Sequence, residues 1–159
     1  VNSSDLEFLA DFGQETLMKK HDRESIATEI DTSIRSARLV RIFERLKETR
    51  GLPDILRVDN GPEFLGSVFV DWCEANGIFI DYIEPGKPNQ NAFIERFNRS
   101  LRNEVLDLYL FRNLRQGCEL VSRWRDQYNE PRPHDALGGL PPTVYAQQRL
   151  DNSRFEQST

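Results

Sequence analysis

The chain has 159 residues, of which 38% are hydrophobic and 30% are charged, enough for a single domain with its own core. No run of about eighteen apolar residues occurs, which argues against a membrane-spanning helix, and no signal-peptide pattern follows Val1. The net charge of −5 does not by itself indicate a nucleic-acid partner. Cys73 and Cys118 form no C-x-x-C pair, so we expect reduced, buried thiols.

The first half of the chain predicts an alternation of strands and helices. Residues 1–22 have no clear period, and residues 26–30 alternate apolar and polar side chains as a strand does. A helix is predicted from about Ser36, with an apolar face and Gly51 at its end. Residues 54–58 form the next strand. The apolar face of the helix that begins at about Ser36 is predicted to consist of Leu39, Val40, Ile42, Phe43 and Leu46.

The segment RVDNGPEF, residues 57–64, predicts a sharp turn at the end of that strand. Asn60 and Gly61 both tolerate positive φ, and Pro62 cannot continue a strand ladder. A helix is predicted from Phe64, with Val68 and Trp72 on the same face at four-residue spacing. The β-branched and aromatic residues 78–83 then predict another strand.

The second half is predicted to be mainly helical. After the Pro/Gly-rich loop 84–90, a long helix is expected from Asn91, with Asn113 capping a second one. Pro142 opens a last short helix. Alternating strands and helices favour an α/β domain with a partly parallel sheet. The long helix is predicted to pack through Phe93, Phe97, Leu101 and Val105, and the second through Leu120, Trp124 and Tyr128.

Two acidic residues are candidates for a shared site. Asp59 follows a strand, where α/β folds commonly place catalytic groups. Glu95 lies near the start of a helix and is offset from its apolar stripe. The 35 residues between them hold one helix, one strand and one loop, so the two carboxylates can meet across a cleft. Carboxylates in that arrangement are hard ligands suited to Mg²⁺ or Mn²⁺.

The spacing of these motifs resembles a known family. D-N-G-x-E-F, the 35-residue gap, N-x-x-x-E-R-F-N and the later Y-N-x-x-R-P-H-x-A-L are similar to the integrase core of bacterial insertion-sequence transposases, the Asp-Asp-Glu class related to retroviral integrases. The resemblance covers residues 23–148 and leaves 1–22 as an unassigned, atypical segment and 149–159 as a tail. It implies a ribonuclease H-like fold, with a mixed sheet flanked by helices.

The same resemblance implies the chemistry of the site. Asp59 and Glu95 would be catalytic residues and metal ligands for two Mg²⁺ (or Mn²⁺) ions, and the reaction would join DNA strands during transposition. The family's third acid, an Asp in an N-terminal hairpin, is not legible. Counting back without gaps places it at or before Val1, so the hairpin is expected to be missing or altered. Asp11 and Asp5 are the weak candidates for this residue.

DNA, both transposon ends and target, is the partner that the resemblance implies, in the bacterial cytoplasm and without a membrane. Self-association or a separate protein that recognises the DNA ends is also expected. The alternative hypothesis is a truncated, catalytically inactive fragment that retains at most DNA or partner binding. Glu63 is interpreted as an ordinary acid of a first helical turn, and His134 as either a DNA contact or a turn residue. The candidate DNA-binding residues are Lys87, Asn89, Gln90, Arg96, Arg99 and Arg102.

Overall fold

The computed structural model describes residues 7–10, 15–19, 22–29, 35–87, 89 and 92–157, which form a five-stranded sheet with helices on both faces. In chain order the elements are β1 Glu7–Ala10, β2 Glu15–Lys19, β3 Ser25–Glu29, α1 Ser36–Thr49, β4 Ile55–Val58, α2 Pro62–Leu65, α3 Ser67–Ala75, β5 Phe79–Tyr82, α4 Ala92–Leu101, a π-helical turn Arg102–Leu106, α5 Leu114–Asn129, a 3₁₀ turn Asp135–Leu137 and α6 Pro142–Gln157.

The sheet is mixed, with strand order β3-β2-β1-β4-β5. β1, β2 and β3 are antiparallel neighbours, whereas β4 runs parallel to both β1 and β5. The hairpin that was expected to be missing or altered is therefore present as two short strands, β1 and β2. Both strands lie within the segment 1–22 that the sequence left unassigned.

Each face of the sheet is covered by its own set of helices. Successive side chains of a strand point to opposite faces, and β2 follows this rule: Leu17 packs in a cluster with α1 and α3, whereas Met18 packs with α4 and α5. Farther along the second face, Arg57 of β4 forms an ion pair with Asp81 of β5 at 2.8 Å. The core thus comprises two hydrophobic clusters with the sheet between them.

Several predicted features are confirmed. α1 begins at Ser36, and the Gly51 N–H bonds to the Leu46 carbonyl with φ +87, a left-handed conformation that favours glycine at the end of a helix. The Asn113 side chain accepts the Gln116 N–H at 3.0 Å and caps α5. Of the two cysteines predicted to be buried, Cys73 is buried, and burial raises the pKa of its thiol to about 12, whereas Cys118 is only half-buried.

The predicted face Phe64–Val68–Trp72 is wrong at Val68, which is 57% exposed. The helix is interrupted at Gly66, which has an extended backbone. A side chain at Gly66 would meet the Ser36 Oγ at 2.0 Å, so α1 approaches too closely for any other residue. Since the interruption shifts the helical face by one residue, Phe69 is buried where Val68 was expected.

The stripe predicted for α4 is wrong at Phe93 and confirmed for the three remaining positions. Phe93 is 38% exposed, and the neighbouring Ile94 is buried in its place. After Leu101 the helix widens into a π turn closed by a bond of 2.8 Å from the Asp107 N–H to the Arg102 carbonyl. α6 is sixteen residues long, not short, and runs across the boundary predicted at residue 148. No helix in the described part of the chain is long and apolar enough to cross a membrane.

The turn and bulge between β2 and β3 are tied to distant helices. Glu24 is 6% exposed and forms ion pairs with Lys19 and with Arg50 at the end of α1. The Asn129 side chain at the end of α5 accepts the Ser25 N–H at 2.8 Å and donates to the Ser25 carbonyl at 2.7 Å. Ser25 lies at a register shift between β2 and β3, so this local irregularity is fixed by tertiary contacts.

Glu24→Gln is expected to lower the free energy of unfolding by about 1–3 kcal/mol at neutral pH, because two cations lose their carboxylate. Burial alone would raise the pKa of Glu24, but hydrogen bonds from Arg50 and Lys19 outweigh it and hold the pKa below its ordinary value. This stabilisation is therefore full above about pH 4.3 and is lost as the pH falls through the folded-state pKa. Urea denaturation at pH 7 and pH 3 measures both effects.

The exposed Glu48 of α1 provides the matched control. Glu48→Gln should change the free energy of unfolding by less than about 0.5 kcal/mol at either pH. A Glu24→Gln deficit that stays constant from pH 7 to pH 3 would contradict the role of the charged carboxylate.

Candidate functional site

Asp59 lies directly after β4, at the carboxyl end of the two parallel strand pairs. Its carboxylate accepts the Gly61 N–H at 3.0 Å, which fixes the side chain against its own turn. The Asn60 side chain donates to the Ile83 carbonyl at 3.0 Å and ties the turn to the end of β5. Asp59 is half-buried and so combines a fixed position with access to solvent.

The glycine of the D-N-G motif is required by packing and not by its backbone angles. The predicted turn is present, but it does not use the positive φ that Asn60 and Gly61 tolerate: Gly61 has φ −61, and Arg23 is the non-glycine residue with positive φ in the described part of the chain. A Cβ at Gly61 would lie 2.6 Å from a Glu63 carboxylate oxygen and 3.0 Å from the Asp59 Oδ1. Glycine therefore keeps open a space onto which two carboxylates converge.

Glu63 is a buried acid near Asp59 that the sequence interpretation missed. It lies in the first turn of α2, as expected, but it is only 4% exposed and its carboxylate faces the Asp59 side of the turn. Burial of an acid is costly unless cations or hydrogen-bond donors compensate. The sequence feature that could have pointed to Glu63 is the glycine between it and Asp59. That glycine is informative only when the geometry of the turn is known.

Glu95 lies in the first turn of α4 and is exposed, off the buried stripe as predicted, although that stripe contains Ile94 and Phe97 and not Phe93. α4 packs against Met18 of β2, so Glu95 is carried by a helix fixed on the second face of the sheet. The approach of the Asp59 and Glu95 carboxylates, with Cβ atoms within about 10 Å as two ligands of one cation require, stays a prediction.

Both candidates for the third acid, Asp11 and Asp5, lie outside the described residues. Among the residues that are described, no group of three His, Cys, Asp or Glu side chains is arranged to hold a metal ion. The hairpin in which the family carries its first acid is nonetheless described on both sides of Asp11, as β1 and β2.

The candidate DNA-binding residues that the structure describes lie on the surface before, along and just after α4. Lys87 is exposed and pairs with Glu84, and Asn89 is exposed. Gln90 lies outside the described residues. Three exposed arginines follow one another along the helix and the π turn at three-residue steps: Arg96, Arg99 and Arg102.

His134 makes the turn contact that was one of its two interpretations. Its Nε2 lies 3.2 Å from the Tyr128 carbonyl, and its backbone pairs with Leu140 in an isolated bridge. Burial lowers the pKa of His134, and the charges of Arg132 and Arg23 act in the same direction, against the backbone hydrogen bond and Asp135.

Comparison with known proteins places this chain among integrases. Two family models described as integrase core domain match residues 15–88 and 76–142. The chain is 40% identical over 131 residues to an uncharacterised 39.2 kDa protein of insertion element IS476 from Xanthomonas euvesicatoria, covering 82% of this chain and 38% of that protein. It is 37% identical to a 31.7 kDa protein of insertion element IS407 from Burkholderia multivorans, covering 82% and 47%. The chain thus spans less than half the length of these relatives.

Solved structures support the fold. The catalytic core domain of BIV integrase superposes with a TM-score of 0.69 at 16% identity, over 94% of this chain and 99% of that one. The HTLV-2 integrase catalytic core domain, solved in complex with magnesium, gives 0.66 at 14% identity, over 89% and 95%. These neighbours confirm the ribonuclease H-like α/β fold. The chain belongs to the integrase core domain family, in the branch carried by bacterial insertion elements.

Proposed function

We propose that this domain joins DNA strands during transposition of an insertion element, with Asp59, Glu95 and Asp11 as its catalytic acids. The observation that carries the proposal is the register of two parallel strands. Ala10 of β1 pairs with Val58 of β4, and Asp59 follows Val58. Asp11 follows Ala10 in the sequence, so parallel pairing favours Asp11 over Asp5 as the acid that joins Asp59 at this edge of the sheet.

The chemistry of these side chains suits the divalent cations that the family implies, because carboxylate oxygens are hard ligands. The carboxylates of Asp59 and the buried Glu63 both lie close to Gly61, and the exposed Glu95 would supply a further oxygen ligand. We propose that Asp59, Glu95 and Asp11 would hold Mg²⁺ or Mn²⁺, with Glu63 adding negative charge beside Asp59. When bound, such ions neutralise a phosphodiester and activate the attacking oxygen.

We propose that the candidate DNA-binding residues in and after the loop before α4 bind and orient DNA. Lys87, Asn89 and Gln90 lie in the loop before α4, and the exposed arginines 96, 99 and 102 continue from it along the helix. Guanidinium groups suit bidentate contacts with backbone phosphates, which position a strand without reading its sequence. The turn bonds of Asp59 and Asn60 fix the acid before substrate arrives, which lowers the reorganisation that the reaction requires.

The test is a joining assay with the purified protein, Mg²⁺ or Mn²⁺, precleaved ends of the host element and target DNA. Metal-dependent joining is expected. DNA binding without joining would instead support the inactive fragment. A chain of the simian T-cell lymphotropic virus intasome, solved in complex with the PP2A regulatory subunit B56 gamma, resembles this chain with a TM-score of 0.63 at 14% identity, over 79% of this chain and 48% of that one. Because self-association is part of the proposal, the assay should also be run over a range of protein concentrations.

Asp11→Asn is expected to lower the joining rate roughly 10²- to 10³-fold, because one electrostatic contribution of this kind is typically worth that much. Asp5→Asn is the discriminating variant and should retain joining. Loss of joining in Asp5→Asn, with the rate kept in Asp11→Asn, would contradict the register argument and move the assignment to Asp5.

A further inference from the structure

A second concave site lies beside the start of α4. It is a cavity of about 240 Å³ between the β2–β3 turn, the first turn of α4 and the segment after α5. We call it the Arg23–His134 pocket, after the residues on its two sides. Its polar and aromatic lining includes Arg23, Phe93, Arg96, Tyr128, His134 and Asp135.

The pocket concentrates positive charge in an acidic protein. The Arg23 guanidinium is half-buried and lies 4.0 Å from the centre of the Phe93 ring. Burial lowers the pKa of Arg23, and the neighbouring charge of Arg96 acts in the same direction. Within the described part of the chain no ion pair joins either guanidinium to a carboxylate, and the acid in the lining, Asp135, is exposed. Two arginines and a single exposed acid leave the lining with a net positive charge, which favours an anionic ligand.

The backbone presents Arg23 at a conformational cost. Its φ is +56, in the left-handed region where glycine or asparagine is favoured. The turn is closed by a bond of 3.0 Å from the Arg23 N–H to the Lys19 carbonyl and one of 2.9 Å from the Lys19 N–H to the Glu24 carbonyl. A long cationic side chain at a position better suited to asparagine indicates that the side chain has a use.

We propose that the Arg23–His134 pocket binds one backbone phosphate of a DNA strand, an inference that rests on the proposed function. Two guanidinium groups can each donate paired hydrogen bonds to phosphate oxygens. Arg96 follows Glu95 directly in α4, so a strand held at Glu95 has further phosphates within reach of Arg96. The pocket thus sets where the strand runs as it leaves the catalytic acids.

The experiment measures binding of a short fluorescent DNA duplex by anisotropy at several salt concentrations. Arg96→Gln removes one charge from an exposed helix position, and Arg23→Asn removes the other while suiting the left-handed turn. Each is expected to weaken binding several-fold, and the double variant Arg23→Asn/Arg96→Gln is expected to reduce the slope of log K against log salt by about 0.9, the value for one phosphate contact. Arg41→Gln, an equal charge change on α1 at the other face of the sheet, is the control and should leave the slope unchanged.

The outcomes separate this inference from the proposed function. If the wild-type protein binds DNA, and Arg23→Asn and Arg96→Gln have the same DNA affinity and salt slope as Arg41→Gln, the phosphate site is overturned. The strand-joining proposal then still stands. Wild-type protein that binds no DNA would overturn both. In the joining assay, the two pocket variants should need a higher DNA concentration to reach the half-maximal rate. Their rate at saturating DNA should be that of the wild type. A fall in the saturating rate alone would contradict a binding role. Thermal unfolding of each variant checks that the fold is retained.

Discussion

Asp59→Asn is expected to lower the rate of DNA joining by roughly 10³-fold or more, since about 4 kcal/mol of lost electrostatic stabilisation corresponds to that factor. The asparagine keeps the shape of the side chain and can still accept the Gly61 N–H that fixes Asp59. It removes the negative charge that we propose holds a divalent cation. Fold and DNA binding should therefore be preserved while joining is lost, and Glu95→Gln should behave in the same way.

Asp54→Asn is the matched control, because Asp54 precedes β4 at the opposite end of the same strand. It should join DNA at the wild-type rate. Metal binding, followed as the rise in unfolding temperature with added Mn²⁺, should be reduced in Asp59→Asn and unchanged in Asp54→Asn. A joining rate for Asp59→Asn within a few-fold of wild type would remove Asp59 from the mechanism.

Phe97→Ala is expected to destabilise the protein by about 3–5 kcal/mol, the cost of deleting a fully buried aromatic ring and leaving a cavity. Phe97 is 1% exposed, and its ring centre lies 5.1 Å from that of Trp124 and 4.7 Å from that of Tyr128, both in edge-to-face geometry. These contacts join α4 to α5. The loss should appear in urea denaturation as a lower midpoint.

Phe93→Ala, four residues earlier on α4, is the control for the same chemical change. Since Phe93 is partly exposed, its loss should cost about 1 kcal/mol, mainly the contact with Arg23. Phe97→Leu should lower the free energy of unfolding by an amount between those of Phe93→Ala and Phe97→Ala. It serves as the folded variant if Phe97→Ala is too unstable to purify. Equal stabilities for Phe93→Ala and Phe97→Ala would contradict the packing described for α4.

The predictable parts of this fold are those determined by periodic sequence. The apolar faces of α1 and α5, the cap at Asn113 and the strand before Asp59 follow from local pattern, and the ordered acidic motifs identify the family. The parallel pairing of β4 was also predictable, because strands alternate with helices. The catalytic roles proposed for Asp59 and Glu95 rest on the motifs that resemble the family, and the convergence of the two carboxylates is still a prediction.

The parts that were not predictable depend on contacts between elements that are distant in the sequence. The helix after Asp59 is interrupted at Gly66, where Ser36 of another helix occupies the space that a side chain would need. The buried position of Glu63 likewise depends on a turn that places it beside Asp59. Arg23 and His134 line one pocket although 110 residues separate them in the sequence. No local period or motif contains such information.

The contact of Asn129 with Ser25 has a consequence for aggregation. β3 is an outer strand of the sheet, and outer strands offer N–H and C=O groups that can recruit a strand from another molecule. The Asn129 amide takes both backbone groups of Ser25, as a neighbouring strand would. Strand addition is thus blocked at this point of β3 once α5 has docked. The opposite outer strand, β5, has the exposed Phe79 at its start, and it is the edge at which a second chain could extend the sheet.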